Sequence, residues 1–400
     1  MPSVIVVGGG VAGLVIARDL AIGGMSVTIL EASDHLGGKV ARHTVAGIDL
    51  DAGAESFAVR GGSVAVLAAE LGLEVVAPRP EPAWLKPVTG EPIRLPATSL
   101  LGIPGDPMAR DVIGVIGLPA AERAMLDAEL PASAGSDERT LGGLVSTRMG
   151  DAVLERLVAP IVTGIHSRHP DDLEVDVVAP GLRAALAREG SLAAAVRTLR
   201  AAAPAGSAVA GIRGGMFELA NALAAEIGRL GVEVRLGSRV TDADALDAGQ
   251  VVLATPLDSP TATTITLATL VVDVPALDVA PRGTGLLVAA GADGVSAKAL
   301  THSTAKWAWL AAGVPAHRHV IRLSYATPPD DVRAAAISDA ETLLGVTLAE
   351  IIGFDLVAWP AVPPVASGVL IGESVSGTGL AAVVSGARKE AERLLRGVDS

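Results

Sequence analysis

Gly8-Gly9-Gly10-Val11-Ala12-Gly13 stands between an apolar run, Val4 to Val7, and a stretch of helical periodicity, Leu14 to Leu20. G-x-G-x-x-G at a strand-to-helix junction is built to hold a pyrophosphate. The first glycine allows a tight turn, the second lets backbone approach the phosphates, and the third lets the helix pack close to its strand. Unpaired N–H groups and the positive end of the helix dipole then face the anion. A second strand is expected at Val27 to Leu30. Glu31 follows it, where an acid accepts hydrogen bonds from ribose hydroxyls. These residues imply a bound dinucleotide.

Three further stretches favour FAD over NAD. In Asp34-His35-Leu36-Gly37-Gly38-Lys39-Val40 the glycine pair lets the chain turn back under the pyrophosphate, and Lys39 can neutralise it. Asp51 to Ser56, "DAGAES", offers small residues and free N–H groups at Gly53, Ala54, Glu55 and Ser56, where a flat ring system must sit close to backbone. Gly372-Glu373, expected after a strand, and Gly377-Thr378-Gly379-Leu380 open a final helix, whose positive end can stabilise charge on a reduced flavin. Val240, in "GSRV", is expected on a strand that lays backbone along the adenine.

Those motifs must be positioned by an α/β domain. Strand, glycine turn and helix open the chain. The pattern returns at 212–255 and again in "GVLIGESVSGTGLAAVVSGARKEAERLL" at the end. Between these visits come a Pro- and Gly-rich crossing at 78–110, a mostly helical stretch at 119–200, and strands in "TITLATLVVDV", "GTGLLVAA" and "HVIRLSYA" before a helix near 331–344. The expected organisation is an α/β, Rossmann-like, discontinuous FAD-binding domain (1–77, 206–260 and 365–400). Inserted into it are a helical substrate- and membrane-facing segment (78–205) and a segment of mixed sheet and helix (261–364).

Composition removes several functions. The 400 residues carry a net charge of −13, which disfavours nucleic acid as a partner. There is no Cys, so disulfides, thiolate metal sites and a thioether-linked flavin are excluded. His166 and His169 stand three apart but lack a third ligand, so no metal is expected. The longest uncharged run, Leu356 to Gly372, contains three prolines and reads as loop plus buried strand, not as a membrane span. Met1 leads directly into a strand without a basic flank, so no secretory signal is expected.

The chain resembles the two-dinucleotide-fold flavoproteins that include amine oxidases and phytoene desaturases. Within them it is most similar to the oxygen-dependent porphyrinogen oxidases of haem synthesis, of the coproporphyrinogen III and protoporphyrinogen IX type. "VVGGGVAGL", "EASDHLGGKV" and "DAGAESF" carry the general likeness. "LGGLVSTRMGDAVLERLVAPIVTGIHSRHPDDLEVD", "GIRGGMFELANALAAEI" and "KALTHSTAKWAW" carry the particular one. The resemblance implies FAD contacts at Gly8, Gly9, Gly10, Val11, Ala12, Gly13, Glu31, Ala32, Lys39, Gly53, Ala54, Glu55, Ser56, Val240, Glu373, Gly379, Leu380 and Ala381. It implies a cytoplasmic oxidase of porphyrinogens, with O2 as acceptor and hydrogen peroxide as product. Peripheral contact at the inner face of the cell membrane and contact with other haem-pathway enzymes are partners it admits.

The chemistry implied is hydride removal from a saturated methylene bridge with loss of a pyrrole proton, three times over. The protein's task is placement, with the donor carbon about 3–3.5 Å from the flavin N5. No catalytic base is named. Substrate carboxylates call for cations, and the candidates are Lys86 and Arg94 in "WLKPVTGEPIRLP" and His166 and Arg168 in a loop expected after a helix at 151–162. Lys306 beside Trp307 and Trp309 is a further candidate for a packed site. Two departures from the resemblance are plain: "WPAVPPVASGVLIGE" is short, and the last turn reads "SGTGLAAV" where relatives carry a Gly-Val-Gly-x-Pro type. Three readings follow: a porphyrinogen oxidase; an amine oxidase or carotenoid-type desaturase; and a non-catalytic flavin- or porphyrin-binding protein. One Tyr and three Phe are few for the aromatic cage of an amine site.

Overall fold

Val4 to Val7 is apolar throughout because it lies inside a sheet. In the computed structural model Ser3–Val7 pairs in parallel with Ser26–Leu30 on one side and Gln250–Leu253 on the other. Glu233–Arg235 adds a fourth parallel strand beside Ser26–Leu30. The structure describes all residues except 1–2, 60, 82–83, 97, 167, 203–208, 247–248, 256–263, 361–370, 378 and 399–400. Val and Ile dominate these strands, and branched side chains suit a pleat covered on both faces.

Helix Val11–Ile22 buries every residue from Val11 to Arg18 and also Leu20, so it is an interior helix. It packs against Phe217–Arg229 and Leu380–Val398. The last of these is amphipathic. Val383, Val384, Ala387, Ala391 and Leu394 are buried at helical spacing, while Lys389, Glu392, Arg393 and Arg396 are exposed. Among the described residues no helix is long and apolar enough to cross a membrane.

The chain forms two compact units. One comprises Met1–Pro78, Ala208–Leu267 and Leu356–Ser400, and the other Arg79–Ser207 and Ala268–Asp355. The helical and the sheet segments, separated in the sequence reading, therefore share one unit. Its helical part closes around Leu141, Leu144, Leu157, Val158, Leu182 and Val196. Arg148 is fully buried there. It bonds Asp127 Oδ1 at 2.5 Å and donates to the carbonyls of Asp127, Pro131, Ala134 and Gly190. Asp127 Oδ2 in turn accepts the Ala193 N–H at 2.9 Å. A buried charge is tolerated because its hydrogen-bonding groups are satisfied.

The sheet part has seven strands among the described residues, in the order Ile351–Pro360, Thr264–Asp273, Arg318–Tyr325, Ala299–His302, Gly285–Val288, Trp84–Lys86 and Ile93–Arg94. Helix Val332–Leu344 covers one face, setting Ala336, Ala340 and Leu343 against Ile321, Leu323 and Tyr325. The Tyr325 hydroxyl donates to Asp339 Oδ2 at 3.1 Å, and that carboxylate also accepts the Ala297 N–H at 2.9 Å. Burial, then Asp339, pushes the phenol well above its ordinary range.

Candidate functional site

Three parallel strands of the first unit end at the same level, at Val7, Leu30 and Leu253. Crevices beyond such carboxyl ends, where the connections diverge, are where open α/β sheets bind ligands. A cleft of about 370 Å³ opens there. Gly8, Gly10, Val11, Ala12, Glu31, Ala32, Lys39, Val240, Glu373 and Leu380 line it, as the sequence reading placed them at a cofactor.

The helix that begins at Val11 has Gly10 at its cap, with no side chain bonding its first N–H groups and no acid in its first turn. Those donors and the dipole are left for an anion. A Cβ added to Gly10 would meet no protein atom within 4 Å, so it would fill cleft space where a phosphate needs to approach. Glu31 is half-buried. Its Oε2 accepts the Gly9 N–H at 2.5 Å, and its Oε1 accepts the N–H and hydroxyl of Ser33, both at 2.8 Å. Burial opposes its ionisation, but those bonds from Ser33 and Gly9 outweigh burial and hold the carboxyl below its ordinary range. It is therefore an acceptor at neutral pH.

The turn at Gly37-Gly38 closes the cleft from the other side. Gly37 pairs with Gly10 and donates its N–H to the Gly9 carbonyl at 2.9 Å. Both glycines have positive φ, +103° and +56°. A Cβ on Gly37 would come within 2.6 Å of the Val40 carbonyl oxygen, and one on Gly38 within 3.3 Å of the Gly10 Cα. Only glycine permits this turn to pack on the nucleotide loop. Lys39 Nζ bonds Glu373 Oε2 at 2.7 Å, so two residues expected to serve the cofactor separately form one ion pair on the cleft wall.

Other expected contacts lie elsewhere. Gly9 packs on Glu31, and Gly13 packs on the Gly8 carbonyl; neither lines the cleft. Gly53, Ala54, Glu55 and Ser56 do not line it either. Gly53 lies against the Lys39 carbonyl, and the preceding Ala52 carbonyl accepts the Trp359 indole N–H at 3.2 Å. Gly379 has φ +99° and Ala381 accepts the Ser63 hydroxyl through its carbonyl; Leu380 and Val383 are what their helix gives the wall. Val240 is not on a strand, because pairing stops at Arg235 and residues 236–240 run as a loop past the cleft. Glu373 opens a short helix, Glu373–Ser376, and the strand expected before it and Thr378 lie outside the described residues. Ser238, Arg239, Ala254 and Thr255 were missed. The signal for the last two was their place just beyond a parallel strand.

The substrate candidates belong to the second unit. Trp84–Lys86 and Ile93–Arg94 form the expected hairpin. Lys86 is only 5% exposed, and its ammonium donates to the Gly90 carbonyl at 2.7 Å, so it holds the hairpin loop and is not an open cation. Arg94 is exposed. His166 does not sit in a loop, since it ends helix Ala159–His166, whose Ile161 packs on Leu85 and Leu95 of the hairpin. Arg168 follows that helix and donates to the Asp172 carbonyl at 2.6 Å. Lys306 stacks over the buried Trp307, 5.0 Å from its ring centre.

A parallel sheet, an uncapped glycine-rich helix start and an acid just beyond the second strand are the features of a dinucleotide-binding protein. The family described as "Flavin containing amine oxidoreductase" matches residues 11–282. A coproporphyrinogen III oxidase of Mycobacterium leprae is 30% identical, over 84% of this chain and 79% of its own length. One from Propionibacterium freudenreichii is 28% identical, over 86% and 77%. The crystal structure of a putative protoporphyrinogen oxidase from Exiguobacterium superposes with a TM-score of 0.81 at 23% identity, covering 99% of both chains. The chain belongs to the flavin containing amine oxidoreductases. It is an FAD-dependent oxidoreductase, and the cleft's residues fit that cofactor.

Proposed function

We propose that this protein is the FAD-dependent oxidase that converts coproporphyrinogen III to coproporphyrin III with O2. Likeness to coproporphyrinogen III oxidases over 84–86% of the chain, across both units, is the observation that carries the reading. Bound FAD supplies the hydride acceptor for each of three two-electron oxidations and is returned to its oxidised state by O2, giving hydrogen peroxide.

The chain's own residues bind and orient. Glu31 accepts from the ribose hydroxyls. The N–H groups at Val11 and Ala12 and the helix dipole would hold the pyrophosphate. Lys39, held by Glu373, adds a positive charge beside it. Backbone at Val240, which lines the cleft, would run beside the adenine. No residue is required as a base, because the pyrrole proton can leave to solvent once the bridge carbon has lost its hydride. Arg94 and Arg168 are the exposed cations we assign to substrate carboxylates. Protoporphyrinogen IX is a second substrate of the same chemistry.

An amine oxidase is disfavoured by the aromatic residues themselves. Tyr325, Phe57 and Phe217 are buried in cores, and Phe354 packs on the sheet core, so no Tyr or Phe is left to build a cage. The test is to purify the protein, record the flavin spectrum, add coproporphyrinogen III in air and follow porphyrin fluorescence. Formation above the spontaneous rate supports the oxidase. Bound flavin with no such formation leaves a flavin-binding protein.

A further inference from the structure

Trp359 stands near the end of strand Ile351–Pro360, in the part that belongs to the first unit. Its indole N–H donates to the Ala52 carbonyl at 3.2 Å. Indole has a single polar atom that can only donate, so this bond fixes the ring. Ala52 is 5% exposed, and its own N–H donates to the Ala41 carbonyl at 2.9 Å. Held on both sides, it sets the place of Gly53. A Cβ added to Gly53 would collide with the Lys39 carbonyl and stand 3.7 Å from the indole nitrogen. Gly53 is therefore packed between Trp359 and the Lys39 backbone.

Lys39 gives that contact its consequence. Its ammonium pairs with Glu373 at 2.7 Å on the cleft wall. Its backbone leaves the Gly37-Gly38 turn, in which Val40 donates to the Gly37 carbonyl at 3.1 Å and Gly37 to the Gly9 carbonyl at 2.9 Å. Contacts therefore run without a break from Trp359 through Ala52-Gly53 and Lys39 to the glycine-rich loop. Trp359 does not itself line the cleft. Attraction between a cation and a phosphate falls with separation, so a cation whose backbone can retreat binds less well. We propose that Trp359 is a positioning residue for FAD: its N–H holds Ala52-Gly53 against Lys39 and so keeps the Lys39 ammonium at the pyrophosphate. This role rests on the reading of Lys39 as the pyrophosphate's cation. Glu373 sets the direction of the ammonium, and Trp359 sets where its backbone stands.

The experiment is a double-mutant cycle on the holoenzyme, with FAD release after dilution read by flavin fluorescence. Trp359→Phe keeps an aromatic ring and loses the N–H. FAD should be retained about three- to tenfold less tightly, the worth of one hydrogen bond. Trp359→His, whose Nε2–H stands at the ring position of the indole N–H, should recover most of that loss. In the Lys39→Ala background the same Trp359→Phe change should have no further effect, because the cation it positions is gone. A merely structural Trp would weaken retention in both backgrounds. Three results would overturn the positioning role while leaving Lys39 at the pyrophosphate: unchanged retention in Trp359→Phe, a Trp359→His variant no better than Trp359→Phe, or effects that add in the double variant. Unchanged retention in Lys39→Ala would remove the reading of Lys39, and the role of Trp359 with it.

Discussion

The nucleotide cleft and a histidine-lined cavity of the second unit do opposite things with the same problem of placing polar groups. The cleft works through backbone. Its N–H donors come from one glycine loop and one helix start, and Glu31 is 22 residues from the Gly9 N–H it accepts. The cavity works through side chains gathered from Arg79, Asp278, His302, Thr304 and the pair His317 and His319. A backbone site leaves its spacing in the sequence. A side-chain site assembled by pairing of distant strands leaves almost none.

The largest effect that would sharpen this contrast lies in the second unit. Arg148→Met removes the guanidinium that bonds Asp127 Oδ1 and four carbonyls, and leaves those acceptors without it. We expect a loss of about 3–5 kcal/mol in urea unfolding. Asp127→Asn added to it should recover part of that loss. If Arg148→Met unfolds like wild type, side-chain wiring is not what holds the helical part together.

Next is pH. His302 is held down to about 3, first by burial, against an ordinary value of 6.5. Below 6.5 the unfolded chain takes up a proton that the folded chain refuses. Stability is therefore fully present above 6.5 and falls, by about 1.4 kcal/mol per pH unit, until about pH 3. Urea midpoints at pH 7 and pH 5 check this, and His302→Phe should show the shallower fall. Equal slopes would mean that the cavity histidine is not buried as the structure has it.

The cleft gives the third prediction. Glu31→Gln keeps an acceptor for Ser33 and Gly9 but loses the charge. FAD should be released about ten- to hundredfold more readily, as read by flavin fluorescence after dilution. Unchanged retention would remove the ribose role. The smallest effect concerns the hairpin. Arg94→Ala should raise KM for coproporphyrinogen III by about two- to fivefold, the worth of one exposed ion pair. Lys86→Met should change thermal stability and leave KM alone. The reverse pattern would restore Lys86 as the substrate's cation.

The same contrast explains what could be read from sequence. The strands at Ser3–Val7 and Ser26–Leu30, the helix between them and the Gly37-Gly38 turn were legible because period, β-branching and glycine spacing are local. Val240, in "GSRV", was expected on a strand, and nothing local says that pairing stops at Arg235. His166 was put in a loop because the helix at 151–162 continues through a π-turn, Leu154–Val158, into Ala159–His166. Lys86 looked like an open cation because sequence does not show that the hairpin turns its own Gly90 carbonyl onto the ammonium. The His302 cavity had no signal, since strand pairing of Ala299–His302 with Arg318–Tyr325 brings His302 beside His319 while Arg79, Asp278, Thr304 and His317 come from other segments.

The most direct test of the central claim is one assay on one preparation. The protein is purified, its flavin spectrum is recorded, and coproporphyrinogen III is added in air while porphyrin fluorescence and hydrogen peroxide are followed. The account predicts bound flavin, coproporphyrin III formed faster than spontaneous oxidation, and three peroxides for each porphyrin. Bound flavin with porphyrin formed only at the spontaneous rate would contradict it.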